Sequence, residues 1–102
     1  TPLEDPNVPV LATELQGNYP NPFNPETTIR YSVKETSPVT IEVYNLKGQL
    51  VRTLVNEVKT AGNYSVVWNG RDNHNQPVSS GVYFYKMNAG KYSSTKKMIM
   101  MK

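Results

Sequence analysis

The sequence predicts an all-β fold, an antiparallel sandwich of about seven strands, and three observations carry that expectation. Apolar and polar residues alternate over short stretches, turn-forming Gly, Asn and Pro residues separate them, and no window holds a convincing helical period. Two sheets packed face to face, with Greek-key-like connections, are the stable arrangement for such a pattern. A chain of 102 residues suits one compact core.

The elements follow in order. Residues 1–14 include Pro2, Pro6 and Pro9 and show no periodicity. Proline fixes φ and removes an N–H donor, so this stretch reads as an extended linker, with the folded domain expected over 15–102. Asn18, Tyr19, Pro20, Asn21, Pro22, Phe23, Asn24 and Pro25 come next. Each proline drives the residue before it toward extended backbone, which excludes a helix or a central ladder strand. Tyr19 and Phe23 are the apolar anchors of this segment, which is expected to be an ordered lead-in pinning the first strand over one end of the core.

Thr27–Val33 alternates, with Ile29, Tyr31 and Val33 on one face and Thr28, Arg30 and Ser32 on the other. Residues 39–45 repeat the pattern, Val39, Ile41 and Val43 opposing Thr40, Glu42 and Tyr44. Asn45, Leu46, Lys47 and Gly48 read as a hairpin turn, with 49–55 as the return strand. Leu50, Val51, Leu54 and Val55 also fit one helical face, but the span between glycine turns is too short for a stable helix. In residues 64–68 Tyr64, Val66 and Trp68 share a face, which places Trp68 in the core. A polar loop spans 69–77. Residues 81–88, opened by Gly81, are apolar on both sides and read as a central strand covered on both faces. Asn88, Ala89 and Gly90 turn, and 92–101 closes the chain as a last strand.

Charge is one-sided. Lys86, Lys91, Lys96, Lys97 and Lys102 fall within the last 17 residues, where no acid occurs, while the whole chain is only +3. Such a tail attracts anionic surfaces; equally, lysines on an edge strand discourage sheet-to-sheet aggregation. The absence of cysteine excludes disulfides and thiolate metal sites. No apolar run is long enough to span a membrane as a helix. Thr1 stands where an initiator Met would, and no signal peptide opens the chain, so a fragment or a processed piece is expected, with any export signal on an upstream part.

Chemistry is sparse. His74 is the one histidine and has no nucleophile or orienting partner in a recognisable pattern, so no catalytic residue is expected. Asp72, Asn73 and Asn75 are oxygen donors without calcium-loop spacing, and a polar turn is expected rather than a metal site. Glu26, Glu35, Glu42 and Glu57 are scattered, and no glycine-rich phosphate loop exists, so no cofactor is expected. Tyr44 and Tyr92 are the candidates for exposed, sugar-stacking rings. They sustain an alternative reading as a carbohydrate-binding or adhesive module of an extracellular hydrolase.

The segment from Asn18 to Pro25, followed by Thr27-Thr28-Ile29-Arg30-Tyr31, resembles the opening of the type A C-terminal sorting domains of the type IX secretion system. The likeness continues through Val43 to Val51 around Gly48, through Ala61-Gly62-Asn63-Tyr64 and Trp68-Asn69-Gly70, and through Ser80 to Met87 around Gly81. It ends with Lys96, Lys97, Met98, Ile99, Met100, Met101 and Lys102. The middle blocks are also similar to the immunoglobulin-like domain of the flagellar hook-cap scaffold family.

The resemblance implies an immunoglobulin-like sandwich that directs an upstream cargo domain through the outer membrane of Bacteroidota or their relatives. Its implied partners are the outer-membrane secretion machinery and a sortase-like cysteine protease, which cuts within or before residues 1–14 and can link the cargo to lipopolysaccharide. The recognition signal maps onto residues 96–102. Neither the linker nor residues 72–76 carry anything that family needs. A lysine-bearing terminal strand at a sheet margin can offer unpaired backbone groups to a receptor, with Met98 and Met100 expected as the specificity-giving side chains.

Overall fold

A computed structural model describes residues 12–101; residues 1–11 of the expected linker, and Lys102, lie outside the described residues. Seven strands run in order: β1 Glu14–Tyr19, β2 Thr27–Val33, β3 Ser37–Tyr44, β4 Leu50–Lys59, β5 Gly62–Trp68, β6 Gly81–Ala89 and β7 Tyr92–Met100. They form a three-stranded sheet, β1-β2-β5, facing a four-stranded sheet, β4-β3-β6-β7, and every pair within the sheets is antiparallel. This is the all-β, immunoglobulin-like sandwich expected from the sequence.

Alternation explains most of it. Ile29, Tyr31 and Val33 of β2 and Val39, Ile41 and Val43 of β3 are buried, and their polar neighbours face outward. Burying one such aliphatic side chain stabilises by about 1.5–3 kcal/mol, so two facing triplets fix the register of both sheets. Ser32 is the buried exception, and its Oγ donates to Ala12 O at 2.8 Å. Lys34 N donates to Thr13 Oγ1, so residues 12–13 already lie against the end of β2.

Three expectations need correcting. The return strand of the hairpin runs on to Lys59 rather than stopping at Val55. Its helix-like spacing comes from two bulges: Leu54 and Val51 are extra residues opposite the Ile41/Glu42 and Val43/Tyr44 steps. Each extra residue resets the alternation, which puts apolar side chains in adjacent positions. Strand β6 is central, but only Tyr83, Tyr85, Met87 and Ala89 are buried. Val82 and Phe84 face outward, half-covered by neighbouring strands of their own sheet rather than by another layer.

The third correction concerns the lead-in. Asn18 and Tyr19 end β1, paired with Ile29 and Thr28, because no proline interrupts the chain before Pro20. Tyr19 pairs on the solvent face and is 81% exposed, so it is not an anchor. Phe23 alone plays that part, at 1%.

Candidate functional site

The polar loop after β5 serves structure first. Asp72 Oδ1 accepts the N–H groups of His74 and Gln76, both at 2.9 Å. These bonds to the charged form hold its carboxyl below the usual range, the Gln76 N–H being the largest cause. Asn73 Oδ1 accepts Thr53 N, Asn73 N donates to Val51 O, and Arg52 Nη1 donates to Asp72 O. Asp72 Oδ1 and Asn73 Oδ1, two of the oxygens weighed for calcium, are thus engaged with the chain itself. Among the described residues no group of three or more metal-ligating side chains exists. His74 is exposed on this loop, and among the described residues no nucleophile is bonded to it.

The sequence blocks scattered along the chain meet at one pole of the sandwich. The Phe23 ring lies 5.6 Å from Trp68, and Trp68 makes an edge contact with Tyr83 at 5.3 Å. Trp68 Nε1 donates to Arg71 O, and Tyr83 OH to Ser79 O. Gly70 adopts φ +75°, and a Cβ there would lie 3.0 Å from Met100 Sδ and 3.2 Å from Pro25 O. Only glycine combines that backbone with so close an approach. Gly81 opens β6 opposite Met100. Gly48, at φ +82°, closes the hairpin turn by donating to Asn45 O.

Asn18 is the hub beside this pole. Its Oδ1 accepts Tyr85 OH from the opposite sheet at 3.0 Å, and its Nδ2 donates to Thr27 Oγ1, which donates to Pro20 O. Burial pushes the Tyr85 hydroxyl up to about 12, since the phenolate would lose its hydration.

Strand β7 is the outer strand of the four-stranded sheet, so the expected position at a margin holds. The margin is only partly open, however. Residues 21–25 cross from the three-stranded sheet and lie along its C-terminal end as a strap. Phe23 forms a parallel bridge with Met100, its N–H donating to Ile99 O at 2.9 Å, while Met101 N donates to Phe23 O at 2.8 Å. Asn21 Oδ1 accepts Ile99 N at 3.1 Å. Among Pro20, Pro22 and Pro25, which lack donors, Phe23 supplies the N–H that this edge needs.

The side chains of β7 divide sharply. Met98 and Met100 are 0% and 1% exposed and fill the core, so they are not the receptor-facing specificity residues expected from the sequence. The reason is parity: their neighbours in the ladder are the buried Tyr83 and the strand opening at Gly81. Among the described residues of the terminal block, Lys96, Lys97, Ile99 and Met101 are exposed. Tyr44 and Tyr92 are half-buried and hydrogen-bonded, Tyr44 to Glu42 and Tyr92 by accepting Leu15 N.

What sequence reasoning missed is the strap's contact with β7 and the Asn18–Tyr85 bond. The alternation of proline with Asn and Phe was the available signal, because it leaves a few donors aimed to one side.

Residues 23–93 match the FlgD Ig-like domain family. No curated protein matches the chain. Among solved structures, the chain is similar to dimeric latent PorU from Porphyromonas gingivalis, with a TM-score of 0.70 and 20% identity over 88% of this chain and 9% of that one. It is similar also to PorZ, an essential surface component of the type-IX secretion system of the same bacterium, with a TM-score of 0.61 and 23% identity. That likeness covers 89% of this chain and 12% of PorZ. The chain therefore spans only a small part of either neighbour.

Proposed function

The chain belongs to the FlgD Ig-like domain family, and on that premise we propose that it is a non-catalytic C-terminal sorting domain. It directs a cargo domain joined in cis at its N-terminal side through a type IX secretion system to the cell surface or the medium. The outer-membrane machinery reads the exposed part of β7, and a sortase-like cysteine protease removes the domain upstream of β1, leaving the cargo free or joined to lipopolysaccharide.

One observation carries this reading: the N-terminal strap, the tryptophan turn and the lysine-methionine terminus converge on one outer strand. Contacts made within the domain itself around one partly open outer strand suit a label read without regard to what precedes it. The likeness to PorU and PorZ adds support, because PorZ is itself a surface component of that secretion system. The loop bearing His74 is occupied with its own backbone, which supports the non-catalytic part of the reading.

The test must spare the core. Deleting residues 97–102 would remove Met98 and Met100 and unfold the sandwich. Charge reversal at Lys96 and Lys97, with Ile99→Asp, alters only exposed side chains. A fusion carrying these changes is expected to stay folded and accumulate in the periplasm. Its normal appearance outside the cell would overturn the proposal.

A second reading has one specific observation behind it. Tyr19 is 81% exposed beside a shallow cavity of about 240 Å³ lined by Gln16, Gly17, Asn18, Thr28 and Arg30. An exposed ring next to polar side chains is a stacking platform for a sugar. Saturable polysaccharide binding that Tyr19→Ala abolishes would favour a carbohydrate-binding module.

A further inference from the structure

The strap leaves part of the β7 margin open, and the geometry says which part. In an antiparallel ladder, successive residues turn their main-chain groups to opposite sides. Ile99 and Met101 turn theirs outward, to Asn21 and Phe23. No bulge interrupts the pairing of β7 with β6, so Ser93, Thr95 and Lys97 point the same way. Among the described residues no backbone hydrogen bond reaches these outward groups. The opening is bounded at its other end by Tyr92, whose hydroxyl accepts Leu15 N at 2.9 Å.

The charge carried by β6 and β7 has one sign, the nearest carboxylate on β1 being Glu14 beside Leu15. Residues 81–101 contain no carboxylate. Lys86 faces Glu42 across the β3–β6 ladder, whereas Lys91, Lys96 and Lys97 are exposed and have no ion-pair partner among the described residues.

We propose that residues 93–97 are a strand-addition site for an extended acidic peptide segment, and that Asn21 and Phe23 fix where the added strand must stop. Three outward residues on a regular strand accept about five residues of partner, given a rise of roughly 3.3 Å per residue. Main-chain pairing supplies the affinity, and acidic side chains on the added strand meet the three unbalanced lysines. The strap acts as a stop because its own Pro22 and Pro25 cannot donate to a further strand. This deepens the sorting reading, on which it rests for the source of the peptide but not for the site.

The probe is a synthetic heptapeptide of alternating threonine and glutamate, added to the full chain and followed residue by residue through amide exchange. The amides of Ser93, Thr95 and Lys97 are expected to slow, while those of Ile99 and Met101, already bonded to the strap, stay unchanged. Thr95→Pro removes one outward donor without touching the β6 ladder and is expected to weaken binding about tenfold or more, the equivalent of roughly 1.4 kcal/mol. Thr95→Ala should bind as the parent does. Equal affinity of Thr95→Pro, or protection appearing elsewhere, overturns the site; equal binding of a threonine-lysine heptapeptide overturns the acidic partner. Export of a cargo fusion bearing Thr95→Pro separates the two ideas. Lost binding with normal export keeps the site and detaches it from sorting, whereas retained binding overturns the site and leaves the sorting proposal to its own charge-reversal test.

Discussion

The four-stranded sheet has two edges, and they are finished in opposite ways. Strand β4 is bulged twice and stitched to the polar loop by Asn73, Thr53 and Arg52. Bulges twist a strand and break its pairing potential, so this edge is closed by distortion along its first half. Strand β7 is regular over its whole length; a strap from a distant part of the chain closes its main-chain edge at one end, and the Leu15–Tyr92 bond bounds it at the other. A sheet edge that is merely a hazard gets disfigured; one left regular over a bounded length remains able to pair.

The largest expected effect breaks the strapped edge. Phe23→Ala removes a fully buried ring packed on Trp68 and should cost about 3–5 kcal/mol in urea unfolding. The Met101 amide should exchange faster while Thr53 is unaffected; unchanged protection at Met101 would mean that Phe23 does not hold the strap.

Gly70→Ala strikes the same pole from the tryptophan turn. The new methyl meets Met100 and the Pro25 carbonyl in a left-handed backbone, a cost of about 1–3 kcal/mol. An unshifted unfolding midpoint would show that Met100 yields without loss.

Alkali tests the root of the strap through Tyr85. Its hydroxyl is raised in the fold, so the stability it contributes is intact below the ordinary tyrosine range and is lost as pH climbs from about 10 toward about 12. Tyr31 and Tyr44 are raised as well, so tyrosinate absorbance should show a late-ionising component that coincides with unfolding and loses one ring in Tyr85→Phe. Ionisation of Tyr85 at an ordinary value would mean that its hydroxyl is not buried between the sheets.

The stitched edge should respond least. Asn73→Ala frees an exposed Thr53 N–H and is expected to cost about 0.5–1.5 kcal/mol, with faster exchange at Thr53 and none at Met101. Acid acts on the same loop: Asp72 is lowered in the fold, so its contribution holds above the ordinary carboxylate range and fades as pH falls through its depressed value. The His74 and Gln76 amides should then open before any global unfolding; their persistence would mean that the carboxylate is not what orders the loop.

Much of this was legible in the sequence. The alternating triplets of β2 and β3, the core place of Trp68 and the turn at Gly48 were read correctly, because alternation is a local property with a fixed period. The helix-like spacing of Leu50, Val51, Leu54 and Val55 misled only about length, since a bulge looks in sequence like a broken period. Tyr19 and Phe23 looked equivalent as anchors. They differ because one sits in a ladder, which assigns it the solvent face, and the other lies beyond the ladder and turns inward.

By itself, then, the amino-acid order determined the strands, their faces and the basic character of the last one, since each depends on neighbours a few residues apart. Tertiary structure decided that Phe23 and Asn21 would occupy the end of β7, that Met98 and Met100 would face inward, and that Ser93, Thr95 and Lys97 would keep their outward groups free. Those outcomes depend on which distant segments share an edge, and a one-residue change of parity reverses them.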